Sequence, residues 1–71
     1  MTVGEFKILY SLNKWGPLAA AEIADEYGWP WQRASTKLTS MQKRGLVRRK
    51  LGDPASLLWE ITHYAATWVN I

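Results

Sequence analysis

After Gly4, glycine and proline interrupt the sequence at four places, and these breaks limit the length of every element that the chain can form. They are Gly16-Pro17, Gly28-Trp29-Pro30, Gly45 and the run Gly52-Asp53-Pro54-Ala55-Ser56. Proline lacks the amide hydrogen that a helix interior needs, and glycine commonly ends a helix, so no helix is expected to pass through these points. The chain is therefore expected to fold as several short elements packed against each other.

The chain has 71 residues, no cysteine and one histidine, His63. This length fits one domain, residues 1–71, and the composition excludes disulfides, thiolate metal sites and two-histidine sites. Packing alone must stabilise the fold, so the five Trp, three Tyr and one Phe are expected to be mainly core. No apolar run is long enough to span a membrane, and the first residues lack an export signal. A cytoplasmic protein without a metal or a membrane partner is expected.

The breaks and the apolar spacing predict three helices before Gly45. Helix 1 covers residues 3–15, helix 2 residues 18–27 and helix 3 about residues 31–44. Helix 1 is apolar over more than half its circumference, and its clearly polar strip consists of Lys7, Ser11 and Lys14. In helix 3 the spacing of Ala34, Leu38 and Met41 places them on one side, which is expected to face the core.

After Gly45 the apolar period changes to two, which predicts a β-hairpin across the turn at residues 52–56. Val47 and Leu51 alternate with Arg48 and Lys50 in the first strand, and Leu57, Trp59 and Ile61 alternate with Leu58 and Glu60 in the second. Thr62 then fits the cap of a short last helix with the apolar stripe Tyr64, Trp68 and Ile71. The predicted fold class is therefore mainly α with a small β-hairpin.

The charges are strongly polarised along the chain, whose net charge is +3. An eighteen-residue stretch without any acid holds Arg33, Lys37, Lys43, Arg44, Arg48, Arg49 and Lys50. The side of helix 3 opposite its core positions also lacks carboxylates and large aliphatic residues, and it carries Gln32, Arg33, Thr36, Thr39, Ser40 and Lys43. A domain with this charge distribution suits a polyanion, most commonly a nucleic acid.

The element order and several local motifs resemble the winged helix-turn-helix core of MarR-like bacterial and archaeal regulators. The resemblance covers about residues 17–65 and rests on LAAAEIADEYG at 18–28, RASTKLTSMQKRGLV at 33–47 and WEIT at 59–62. It implies a three-helix core, a β-wing and a short C-terminal helix, with helix 3 entering the major groove. The family's base and phosphate contacts then correspond to Gln32, Arg33, Ser35, Thr36, Thr39, Ser40 and Lys43, and the wing residues Arg48, Arg49 and Lys50 lie against the DNA backbone or a minor groove.

The chemistry of these residue types agrees with the implied role. Gln pairs with adenine and Arg with guanine, and the hydroxyls of Ser and Thr suit bases or phosphates. The sequence offers no paired carboxylates, nucleophile–base pair or glycine-rich phosphate loop. A non-enzymatic transcriptional regulator that binds double-stranded DNA without a cofactor is therefore expected.

Other interpretations of the same residues remain open. Gln32 and Arg33 could simply begin a solvated helix, and the wing cations could protect an edge hairpin from aggregation. Trp31 could stack on DNA or pack against the turn before helix 3, whereas Trp59 is expected in the core. His63 is expected to be an exposed bystander.

Two alternative functions and a dimer interface are also compatible with the sequence. The fold could serve as a protein-interaction module in a phage or plasmid accessory protein. The spacing of Gly28, Pro30, Leu38, Gly45, Pro54 and Trp59 is also similar to Z-DNA-binding winged helices, although Ser35 and Thr39 stand where that family has Asn and Tyr. Helix 1 and the C-terminal helix could pack on each other or form a homodimer, because regulators commonly read two half-sites.

Overall fold

The computed structural model describes residues 1–55 and 57–69. In this part of the chain the elements are helix α1 (Val3–Trp15), strand β1 (Leu18–Ala19), helix α2 (Ala20–Tyr27), helix α3 (Trp31–Lys43), strand β2 (Val47–Arg49), strand β3 (Leu58–Ile61) and helix α4 (His63–Val69). The strands form one antiparallel sheet in the order β1-β3-β2. The predicted class, mainly α with a small hairpin, is confirmed, and Ser56 of the predicted turn lies outside the described residues.

The predicted signals at Gly28 and Thr62 are confirmed, and the start of α1 has a cap that was not predicted. The Thr2 hydroxyl accepts the Glu5 amide at 3.2 Å and the Glu5 carboxylate accepts the Thr2 amide at 2.9 Å, so α1 begins with a reciprocal cap. Helix α2 ends at Gly28, whose φ of 68° lies in the left-handed region that glycine adopts without strain. The Thr62 hydroxyl accepts the Ala65 amide at 3.2 Å, which confirms the predicted cap of the last helix.

The start of helix 2 was predicted two residues too early. Leu18 and Ala19 form β1, in which Leu18 pairs with Trp59 and Ala19 with Leu58. A strand of two residues has no periodicity of its own, and these two residues extend because β3 offers them backbone hydrogen-bond partners. The Glu22 carboxylate then accepts the Ala19 amide at 2.9 Å, where α2 begins.

The core lies where the helices meet the sheet, and its members come from every helix and from the wing strands. They are Ile8, Leu9, Leu12, Ala20, Ile23, Ala24, Ala34, Leu38, Met41, Leu46, Val47, Trp59 and Ala65. The predicted inward positions of helix 3 and the core position of Trp59 are thereby confirmed. Leu51 and Leu57 were expected on the same face as Trp59 but are exposed, because the paired strands end at Arg49 and begin again at Leu58.

The aromatic residues are less buried than expected. Tyr64 and Trp68, two members of the predicted apolar stripe of the last helix, are exposed and pack edge to face with ring centroids 5.5 Å apart. The small residue between them, Ala65, is the buried one and lets α4 approach α1 closely. Ile71, the third member of the predicted stripe, lies outside the described residues. His63 is exposed, as expected.

Ser11 was predicted on the polar strip of helix 1, but its side chain is fully buried. Its hydroxyl donates to the Glu26 carboxylate at 3.0 Å and also contacts the Tyr27 hydroxyl. The Tyr27 hydroxyl donates to the Lys7 carbonyl oxygen at 2.9 Å. Burial of its ring raises the pKa of Tyr27, so this hydroxyl keeps its proton. The hydrogen bonds join α1 to the end of α2.

We predict that Tyr27→Phe lowers the free energy of unfolding by about 1 kcal/mol, because it removes the hydroxyl that contacts Ser11 and Lys7. Urea denaturation followed by circular dichroism measures the change. Tyr10→Phe is the matched control, since Tyr10 is exposed on α1. Equal stabilities of the two variants would contradict the role given to the Tyr27 hydroxyl.

Candidate nucleic-acid interface

The orientation of α3 follows from its buried residues. Pro30 precedes the first turn, and Arg44 and Gly45 end the helix, with Gly45 at a φ of 76°. The side chains of Ala34, Leu38 and Met41 are fully buried against the core. Polar residues on the opposite side therefore point outward, and the exposed ones are Gln32, Arg33, Thr36, Thr39, Ser40 and Lys43.

The outward side of α3 forms a shallow depression of about 350 Å³ lined by Ser35, Thr36, Thr39, Ser40 and Lys43. The Thr39 hydroxyl donates to the Ser35 carbonyl oxygen at 3.0 Å, which fixes its lone pairs for accepting hydrogen bonds. Among the described residues Lys43 has no carboxylate within ion-pair distance. The surface thus offers hydroxyls and a cation, a combination suited to bases and phosphates.

A second depression of about 210 Å³ separates α3 from the wing, the hairpin formed by β2 and β3. Its lining consists of Ala19, Ala20, Ala21, Trp31, Ser35, Arg49, Leu57 and Trp59. Trp31 is 58% exposed and borders this depression. Trp59, only 3% exposed, holds the wing against the helices.

The predicted wing cations have different surroundings. The Arg48 guanidinium lies 2.7 Å from the Glu60 carboxylate, directly across the β2–β3 pair. The Arg49 guanidinium carbon lies 4.2 Å from the centre of the Trp59 ring. Lys50 is half-buried, and its ammonium lies 3.4 Å from the Leu51 carbonyl oxygen. Glu60 was missed as a partner, although the alternation of the strands already placed both residues on the outer face.

The wing turn is organised by Asp53. Its carboxylate accepts the amides of Leu58 at 3.0 Å, Leu57 at 2.9 Å and Ala55 at 3.2 Å. These bonds, first that from Leu58, lower the pKa of Asp53 below its ordinary value. The carboxylate thus stays charged at neutral pH and keeps the turn closed.

The remaining cations of the acid-free stretch lie on the flank of α3 that is turned away from the wing. Arg33 and Lys37 approach the Trp29 ring, with the Arg33 guanidinium carbon at 5.4 Å and the Lys37 ammonium at 5.9 Å from its centre. Arg44 forms an ion pair with Glu5 of α1. The predicted basic stretch is therefore split between two flanks, and Arg33, although exposed, lies at the edge of the outward side next to Trp29. Lys37 was not among the predicted DNA-binding residues, although its spacing of four from Arg33 places it on the same side of α3.

Residues 1–55 and 57–69 contain no cluster of three His, Cys, Asp or Glu side chains that could hold a metal ion. In the same ranges, no helix has the length and apolar character needed to cross a membrane.

No protein family and no curated protein matches the sequence. Solved structures do match the fold of this chain. A MarR family regulator from Neisseria meningitidis superposes with a TM-score of 0.83 at 20% identity, over 97% of this chain and 50% of that chain. Two mutants of ZitR from Lactococcus lactis superpose with TM-scores of 0.85 and 0.84 at 22% identity, over 99% of this chain and 49% of theirs. This chain spans about half the length of these structures. The predicted resemblance is confirmed for the fold: the chain has a winged helix-turn-helix fold similar to that of these structures.

Proposed function

We propose that this chain is the DNA-binding domain of a transcriptional regulator, that it prefers certain double-stranded sequences, and that it acts in the cytoplasm without a cofactor or a catalytic step. The observation that carries the proposal is the carboxylate-free outward side of α3, which lies beside the wing. An α-helix with its side chains is about 10–12 Å wide, and the major groove of B-DNA has a width of about 12 Å. Helix α3 therefore fits the groove with its polar side toward the bases.

The direction of each side chain suggests its role in this complex. Gln32 and Thr36 point outward near the start of α3, where a recognition helix reaches base edges. The hydroxyls of Ser35, Thr39 and Ser40 form hydrogen bonds with bases or with phosphates, depending on how deeply each side chain enters the groove. Lys43 supplies a phosphate contact at the end of α3, Arg49 and Lys50 supply contacts on the wing side, and Arg48 divides its charge between Glu60 and the DNA backbone.

The first test is a fluorescence-anisotropy titration of a random-sequence duplex at two salt concentrations. We expect micromolar binding at low salt that weakens steeply as salt rises, because the contacts release condensed counterions. Absence of binding even at low salt would contradict the proposal. That outcome would favour the protein-interaction module, with the exposed Phe6, Tyr10 and Trp15 of α1 as its contact surface.

We predict that Glu60→Gln strengthens binding to random duplex DNA. The substitution removes the carboxylate that neutralises Arg48 and frees this guanidinium for a phosphate. The salt slope should steepen by about one unit. Glu22→Gln is the matched control, since Glu22 is exposed on α2 and forms no ion pair among the described residues. Equal slopes for the two variants would remove Arg48 from the phosphate contacts.

We also propose that the domain forms a homodimer through α1 and α4. The two helices contact each other within the chain, which was one of the two interpretations of their apolar faces. Their outer sides nevertheless expose Phe6, Tyr10, Trp15, Tyr64 and Trp68. A dimer would bury these rings and place two copies of α3 on successive half-sites. Light scattering at micromolar concentration should give twice the chain mass, and a monomer mass would refute the dimer.

A further inference from the structure

The flank of α3 that faces away from the wing carries a cluster of aromatic rings and cations. The Tyr27 and Trp29 rings lie 5.1 Å apart, with Arg33 and Lys37 on Trp29 at 5.4 Å and 5.9 Å. Lys7 of α1 places its ammonium 5.6 Å from the centre of the Tyr27 ring. We call this cluster, formed by Lys7, Tyr27, Trp29, Arg33 and Lys37, the aromatic–basic flank.

The cations of this flank differ from those in ion pairs. Within the described ranges, ion pairs join Arg44 to Glu5 and Arg48 to Glu60, and none includes Lys7, Arg33 or Lys37. A cation over an aromatic ring is ordered without being neutralised. The aromatic–basic flank thus holds its positive charges in place, and its own charges repel each other until an anion lies between them.

The start of α1 leaves space for one of these side chains. A Cβ atom at Gly4 would lie 3.1 Å from both Cε and Nζ of Lys37, so the absence of a side chain at Gly4 lets Lys37 lie along α1. The half-buried Lys37 is thereby directed by α1 and Trp29 together.

The position of the flank indicates which anion it meets. Ser35 lies on the wing side of α3, where it lines the depression with Arg49 and Trp59. Arg33 and Lys37 lie on the other side of the same helix, one turn apart. The major groove is bounded by one phosphate backbone on each side, so a helix within it presents one flank to each strand.

We propose that Lys7, Arg33 and Lys37, ordered by Tyr27 and Trp29, form a second phosphate-contact surface for the DNA strand opposite the one that the wing contacts. This inference rests on the proposed function and deepens it. In this arrangement Arg33 contacts a phosphate and not the guanine expected from the sequence. Lys7 and Lys37 become additional DNA-binding residues. The two flanks then hold α3 between the backbones while its outward side meets the bases.

The test compares Lys37→Gln with Lys14→Gln in the random-duplex titration. Both variants lose one positive charge that lies near aromatic rings, since the Lys14 ammonium is 4.9 Å from the Trp15 ring and 5.7 Å from the Tyr10 ring. Lys37→Gln should reduce the salt slope by about one unit and weaken binding about tenfold near 0.1 M salt, because one phosphate contact is lost. Lys14→Gln should retain the wild-type slope, and Lys37→Arg should restore it.

The outcomes separate this inference from the proposed function. If the wild-type chain binds no duplex, both fail. If it binds with a steep salt slope but Lys37→Gln and Lys14→Gln have the same slope, the second phosphate surface alone is refuted. Arg33→Gln tests the same surface by a second route: equal losses on a selected site and on random duplex support a phosphate contact, and a loss confined to the selected site contradicts it. Circular dichroism confirms that each variant is folded.

Discussion

The arrangement of the candidate interface depends on the burial of Trp59. This residue lies in β3, between β1 and β2, and pairs with Leu18 on one side and Arg49 on the other. A buried aromatic side chain removes about 150–250 Å² from water, which makes it a major stabilising contact in a small domain. The wing cannot turn away from the helices without exposing this ring. Its fixed position sets the distance between α3 and the wing cations.

The buried side of α3 gives the interface its second constraint. Ala34, Leu38 and Met41 occupy the buried side, so the rest of the circumference is free to carry polar groups. Glu5 and Glu60 each neutralise one cation of the basic stretch, at the end of α3 and on the wing. The positive charge that these two carboxylates do not neutralise lies on the two flanks of α3 and at Lys43. In the proposed complex this distribution places phosphates on both sides of the helix and bases beneath it.

Much of the candidate site could be predicted because its residues belong to one helix. The period of about 3.6 residues fixes which side of α3 is outward once its apolar positions are known, and the structure exposes Gln32, Thr36, Thr39, Ser40 and Lys43 there. The partners of the cations could not be predicted. Glu5 is 39 residues from Arg44 in sequence, and Lys7 reaches Tyr27 across a gap of 20 residues. Such pairs arise only when the helices pack.

The sequence by itself determined the breaks, the bounds of α1, the cap at Thr62 and the existence of the wing, because each depends on backbone preferences within a few neighbouring residues. Tertiary structure decided the rest. Strand β1 exists because β3 offers unpaired backbone groups to Leu18 and Ala19, and Ser11 is buried because Glu26 and Tyr27 satisfy its hydroxyl. Where α4 packs on α1, the buried residue is Ala65 and not Tyr64 or Trp68, because close packing of helices favours a small side chain. Contacts between distant residues have no local signal, so the folded chain alone specifies them.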